Sequence, residues 1–144
     1  MTAAELTGLE TMRQAAAATE RPAYIGTLIG LSIDHVELGE VTMSLHTRPD
    51  MANPLGTLHG GICATLLDSV MGCAVHTTLE AGVGYGTLEL KVNYIRSVPV
   101  DGVELTATAK TIHVGHKTAT AEGRVYDPQG RLIAHGTTTC MIHR

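Results

Sequence analysis

The chain is 144 residues long with 44% hydrophobic and 17% charged residues, a balance that fits one globular domain and rules out a disordered chain. It contains no Phe, no Trp and only four Tyr, so its core has to come from Val, Leu, Ile, Ala and Met. Ten basic against fourteen acidic residues give a net charge of −4; without a basic block or aromatic platforms, the chain is not expected to bind nucleic acid.

Residues 3–19 are predicted to form a short helix, because Leu6, Leu9, Met12 and Ala16 recur at helical spacing before Arg21-Pro22. This start lacks a basic region leading into an apolar one, so it does not read as a secretory signal. Strands are expected at Ile29–Glu37 and Val41–Arg48, joined by the turn Leu38-Gly39-Glu40. An irregular stretch, Met51–Thr57, follows. Gly60–Leu79 is the one long segment apolar enough for a buried helix.

The period then changes to two. Thr87–Arg96 alternates, with Leu88, Leu90, Val92 and Tyr94 against Glu89, Lys91, Asn93 and Ile95. Three more strands are expected at Val103–Val114, Thr118–Tyr126 and Leu132–His143, with turns at Gly115 and Asp127-Pro128-Gln129-Gly130. A lone apolar helix among hairpins has to be covered by the sheet. The expected fold is therefore α+β, an antiparallel sheet wrapped around one long central helix. Sheet edges left open imply a homo-oligomer, at least a dimer.

No run reaches the ~18 apolar residues that a membrane span needs. Cys63, Cys73 and Cys140 are too scattered for a disulfide scaffold or a Cys-rich zinc site. Cys63 and Cys73 sit about 15 Å apart on one helix, too far to bridge. All three are read as reduced thiols of a cytoplasmic protein.

Several chemistries are struck out by absence. None of Ser32, Ser44, Ser69 and Ser97 lies in a Gly-x-Ser-x-Gly elbow, and no phosphate-binding loop is present. His113 and His116 flank a turn without a carboxylate or thiol beside them in sequence, which favours a surface pair over a metal site. Asn53-Pro54-Leu55-Gly56-Thr57-Leu58-His59-Gly60-Gly61 runs directly into the long helix. Glycines at a helix start let a ligand approach unpaired N–H groups at the positive end of the dipole, a site for a carbonyl oxygen. His59 and Asn53 could add donors; tight packing alone would also explain Gly60-Gly61.

Asp68 lies in the otherwise apolar run Leu66-Leu67-Asp68-Ser69-Val70-Met71. A lone carboxylate there is costly to bury, which points to a role or to a solvent-facing seam. Eight helical residues separate it from Gly60 by about 12 Å. If both act on one carbonyl, they come from different subunits. Cys63, in the first helical turn, is a rival nucleophile because the dipole favours a thiolate, but no His is placed near it by sequence.

Together, Asn53…Gly56…His59-Gly60-Gly61…Leu66-Leu67-Asp68 resembles the signature of hotdog-fold acyl-CoA thioesterases of the phenylacetate-degradation (PaaI-like) and 4-hydroxybenzoyl-CoA type. Residues 86–96, 116–122 and 127–136 are similar to the family's third strand and last hairpin, and the likeness covers about residues 25–142. It implies a thioesterase domain at residues 25–144 behind an N-terminal helical segment, residues 1–24. It further implies Asp68 as nucleophile or general base, Gly60 as oxyanion donor with the adjacent Gly61 meeting substrate, and Asn53 and His59 orienting water or carbonyl. Thr87 takes the place of the Ser or Thr that positions the acidic residue. Arg96, Lys117 and Thr118 are candidate contacts for the nucleotide of CoA. The implied substrate is an aryl- or medium-chain acyl-CoA, with no metal or cofactor and a dimer that pairs into a tetramer. A non-catalytic acyl-CoA-binding protein and a hotdog dehydratase or hydratase are the alternatives, though the dehydratase and hydratase motifs are absent.

Overall fold

A computed structural model describes residues 5–144 of the chain. The elements are α1 (Gly8–Ala17), α2 (Ile25–Leu28), β1 (Ser32–Glu37), β2 (Glu40–His46), α3 (Gly60–His76), β3 (Gly84–Tyr94), β4 (Glu104–Val114), β5 (Thr118–Tyr126) and β6 (Leu132–His143), with a 3-10 turn at Pro49–Met51. All six strands form one antiparallel sheet in the order β1-β2-β4-β5-β6-β3, and α3 packs across it. This is the expected wrapped-helix architecture.

The helix approaches closely because the sheet beneath it is lined with small residues. Ala107, Ala109, Ala119 and Ala121 are buried under Leu66, Leu67, Val70, Met71, Ala74 and Val75 of α3. At Gly123 a Cβ would stand 3.0 Å from Met71 and 3.1 Å from Leu67, so the helix rests on backbone there. Each fully buried Leu or Met contributes about 1.5–3 kcal/mol, which lets a core without Phe or Trp suffice. No helix among the described residues is long and apolar enough to cross a membrane.

Helix α1 is shorter than expected, and the first two residues of the predicted stretch lie outside the described residues. Thr7 and Glu10 form a reciprocal capping box that fixes its start. It joins the main core through Met12 and through a Gly8 N–H to Leu79 oxygen bond of 2.9 Å. The predicted strand from Ile29 begins only at Ser32, since residues 25–28 take a helical turn that closes at Gly30, whose φ is +70°. Strand β3 starts earlier than expected, because Gly84, Tyr85 and Gly86 pair with His143, Ile142 and Met141.

A bulge between Thr87 and Glu89 breaks the alternation of β3. Leu90 and Val92 pack on the core as expected, while Leu88 and Tyr94 are exposed. β3 is also a sheet edge, eleven residues long and unpaired on its outer side.

Candidate active site

The N-terminus of α3 is built by the loop before it. Asn53 closes that loop: its Oδ1 accepts from Leu55 N–H (2.9 Å) and Thr57 N–H (3.2 Å). Its Nδ2 donates to Thr57 Oγ1 (3.0 Å) and Leu58 oxygen (3.5 Å). Gly56, at φ +86°, makes the turn possible. Asn53 thus shapes the loop, with its amide already engaged, and does not present a spare donor.

His59 is the N-cap of α3, and its Nδ1 accepts the Gly61 N–H at 2.8 Å. With Nδ1 turned to the cap, Nε2 is the ring nitrogen left without a partner among the described residues. A Cβ on Gly61 would lie 2.9 Å from that Nδ1, so the cap requires glycine there. The cap also spends the Gly61 N–H, which differs from the expectation that Gly61 meets substrate. The Gly60 N–H has no partner among the described residues. It is a donor left open at the positive end of a seventeen-residue helix.

A cleft of about 330 Å³ opens at this point. Asn53, His59, Gly60 and Arg96 all line it, together with Cys63 and Tyr94. Tyr94 was not among the residues expected here. Its hydroxyl donates to the Gly60 oxygen at 2.7 Å, a contact that the alternating pattern of β3 gave no means of finding. Burial pushes the Cys63 thiol up to about 11. That outweighs the dipole effect considered from sequence and leaves Cys63 a buried thiol.

Asp68 lies two turns further along α3, half-buried and outside that cleft. Its Oδ1 accepts the Thr87 hydroxyl at 2.8 Å, so the bulge in β3 places Thr87 toward the carboxylate. Oδ2 has no hydrogen bond from the described residues. Around this end stand Cys73 and Tyr85; burial foremost, and the Asp68 charge, raise the Cys73 thiol to about 11. Lys117 and Thr118 are exposed at the β4–β5 turn, and Thr118 pairs with Met141, itself paired with Gly86 beside Thr87.

The expected residues therefore fall into two groups. Gly60, His59, Asn53 and Arg96 gather at the end of β3, whereas Asp68, Thr87, Lys117 and Thr118 gather toward its start. Thr87 and Tyr94 are seven residues apart on β3, about 23 Å of strand. One chain does not bring the two groups together. No cluster of three or more His, Cys, Asp or Glu that could hold a metal occurs among the described residues.

A six-stranded antiparallel sheet wrapped around one long helix defines a hotdog-fold protein. Residues 55–134 match the Thioesterase superfamily, and the chain belongs to that family. It is 28% identical over 116 residues to the 1,4-dihydroxy-2-naphthoyl-CoA hydrolase of Listeria monocytogenes, covering 81% of this chain and 93% of that protein. It is 31% identical over 112 residues to the proofreading thioesterase EntH of Cronobacter turicensis, covering 74% of this chain and 79% of that one. Among solved structures, a phenylacetic acid degradation-related protein of Ralstonia eutropha superposes with a TM-score of 0.81 at 25% identity, covering 90% of this chain and 98% of that one.

Proposed function

We propose that the protein hydrolyses an acyl-CoA thioester to the free acid and CoA, at a site shared between two subunits. The observation that carries this is the Thr87 hydroxyl held 2.8 Å from Asp68 on a carboxylate with one oxygen still free. The relatives add the substrate class, since a hydrolase of an aryl-CoA stands among them.

Antiparallel pairing of the long β3 edge with its own copy would complete the site. It would cover the exposed Leu88, Tyr94 and Ile95 and satisfy the unpaired edge. A two-fold axis near Leu90 and Lys91 sets Thr87 and Asp68 of one subunit against Gly60 of the partner subunit. The Gly60 N–H then receives the thioester oxygen as it gains charge. Asp68 attacks the carbonyl carbon, or takes a proton from water that does; either route breaks the C–S bond and releases the CoA thiolate, which is then protonated. In the first route, water hydrolyses the resulting anhydride. On this reading Arg96 from one subunit, with Lys117 and Thr118 from the other, contacts the phosphates of CoA, which the lining of the cleft by Arg96 and the exposure of Lys117 and Thr118 support. The assembly is a dimer that pairs into a tetramer, in a cytoplasmic setting that suits three unpaired cysteines.

A panel of short, long and aromatic acyl-CoA thioesters with a thiol-trapping readout tests this directly. Turnover of at least one is expected, falling by about 10²-fold or more in Asp68→Asn with folding retained. Tight binding without hydrolysis across the panel, or full activity in the variant, would overturn it.

A further inference from the structure

Both ends of β3 lend a side-chain hydroxyl to α3. Thr87 gives its hydroxyl to Asp68, and Tyr94 gives its own to the Gly60 carbonyl at 2.7 Å. The second contact is unusual because Gly60 is the residue with the freest backbone, at the end of a helix where ordering is weakest.

The Gly60 carbonyl and the Gly61 N–H belong to the same peptide unit. Tyr94 holds the first and His59 Nδ1 holds the second, at 2.7 and 2.8 Å. One peptide plane is thus clamped at both ends by side chains from two different segments. The Tyr94 ring also stands 3.2–3.3 Å from where a Cβ on Gly60 would project, so it blocks a swing of Gly60 toward the cleft. Burial, with Cys63 nearby, raises the phenol above its ordinary value, which keeps the donating proton in place.

We propose that Tyr94 is a positioning residue for the oxyanion donor: it holds the Gly60–Gly61 peptide, and the ring closed by the His59 Nδ1 bond to the Gly61 N–H carries that constraint to the preceding His59–Gly60 peptide, so that the Gly60 N–H keeps one direction while charge develops on the substrate oxygen. This rests on the assignment of Gly60 as that donor. An oxyanion contact gains most from a donor fixed beforehand, since no reorganisation is left for the moment of reaction. Tyr94 acts through Gly60 and does not itself touch the reacting atoms.

The test is a double-mutant cycle with Tyr94→Phe and Gly60→Pro. Proline suits the first helical position, removes the N–H, and follows His59 at φ −64° and ψ 135°, a conformation that a residue before proline adopts readily. Because its Cβ meets the Tyr94 ring, the cycle is run beside Gly60→Ala, which adds the same Cβ and keeps the N–H, and on which Tyr94→Phe should still lower kcat. Tyr94→Phe is expected to lower kcat about tenfold with KM changed by no more than about twofold. On the Gly60→Pro background, where no donor remains to be aimed, the same change is expected to cost nothing further. An unchanged kcat, a rise in KM alone, or the same tenfold loss on the proline background would each overturn the proposal. In protein labelled with 15N-glycine, the Gly60 and Gly61 amide resonances should move in Tyr94→Phe while those of Gly102 and Gly130 stay. Resonances that stay in place would sink the clamp even if the parent hydrolysed nothing, whereas a parent inactive on every thioester would fail the hydrolase assignment alone.

Discussion

At the scale of single residues, the chemistry rests on which polar atoms are already engaged. Asn53, His59 Nδ1 and the Gly61 N–H are consumed in building the loop and cap, which leaves the Gly60 N–H, His59 Nε2 and one Asp68 oxygen open among the described residues. Thr87→Ala removes the one hydrogen bond that aims Asp68. It should lower kcat about tenfold with KM little changed, measured by steady-state hydrolysis of the best thioester. A KM effect alone would make Thr87 a substrate contact. Cys63 gives the converse prediction. With its thiol raised to about 11 by burial, little thiolate exists near neutral pH. Cys63→Ala should keep kcat within about twofold of the parent, and alkylating reagents should react slowly below pH 9. Asp68 was legible from sequence because a carboxylate among Leu, Val and Met is anomalous. The Tyr94 contact was not, since period-two patterning assigns a face and does not reveal which backbone atom a hydroxyl reaches.

At the scale of elements, the strand that matters most is the one local patterning described least well. Gly84, Tyr85 and Gly86 have weak strand character, and only pairing with the end of β6 recruits them. The bulge after Thr87 is likewise a product of the ladder, yet it decides where the hydroxyl lies. The β5 and β6 boundaries, by contrast, coincide with expectation, because Asp127-Pro128-Gln129-Gly130 carries its own turn chemistry. Asp127 Oδ1 accepts the Gln129 and Arg131 N–H groups at 3.0 and 2.9 Å, and Oδ2 accepts Arg131 Nε at 2.7 Å. Burial would raise this carboxyl, but the hydrogen bonds and charge of Arg131, with the Gln129 N–H, outweigh it and hold the group below its ordinary value of 3.8. A depressed folded-state value means that the stabilisation is complete above the unfolded value and is lost as pH falls through the folded one. Asp127→Asn should therefore lower the Tm at pH 7. Below about pH 4 the difference from the parent should shrink, as scanning calorimetry across pH 2–7 would record. A constant difference across that range would show that the carboxylate charge is not what holds the turn.

At the scale of the molecule, the proposed shared site follows from Gly60 and Asp68 standing about 12 Å apart along one helix, with the edge strand β3 free to pair with a second copy of the chain. The sequence already limited the choice, because eight helical residues cannot bring Asp68 and Gly60 onto one carbonyl. It could not supply the strand order that leaves β3 at the edge, since that order depends on the long-range pairing of β3 with β6. Subunit complementation tests the shared site most directly. Asp68→Ala and Gly60→Pro chains are each expected to be nearly inactive, the second by about 10²–10³ in kcat through loss of the oxyanion donor. In a mixed dimer, one of the two sites draws Asp68 from the proline variant and Gly60 from the alanine variant, and is intact. With equal mixing and complete exchange, half of the dimers are mixed, so about one quarter of the parent activity should return. No recovery, with exchange verified by native mass spectrometry, would place the whole site within one chain and contradict the shared arrangement.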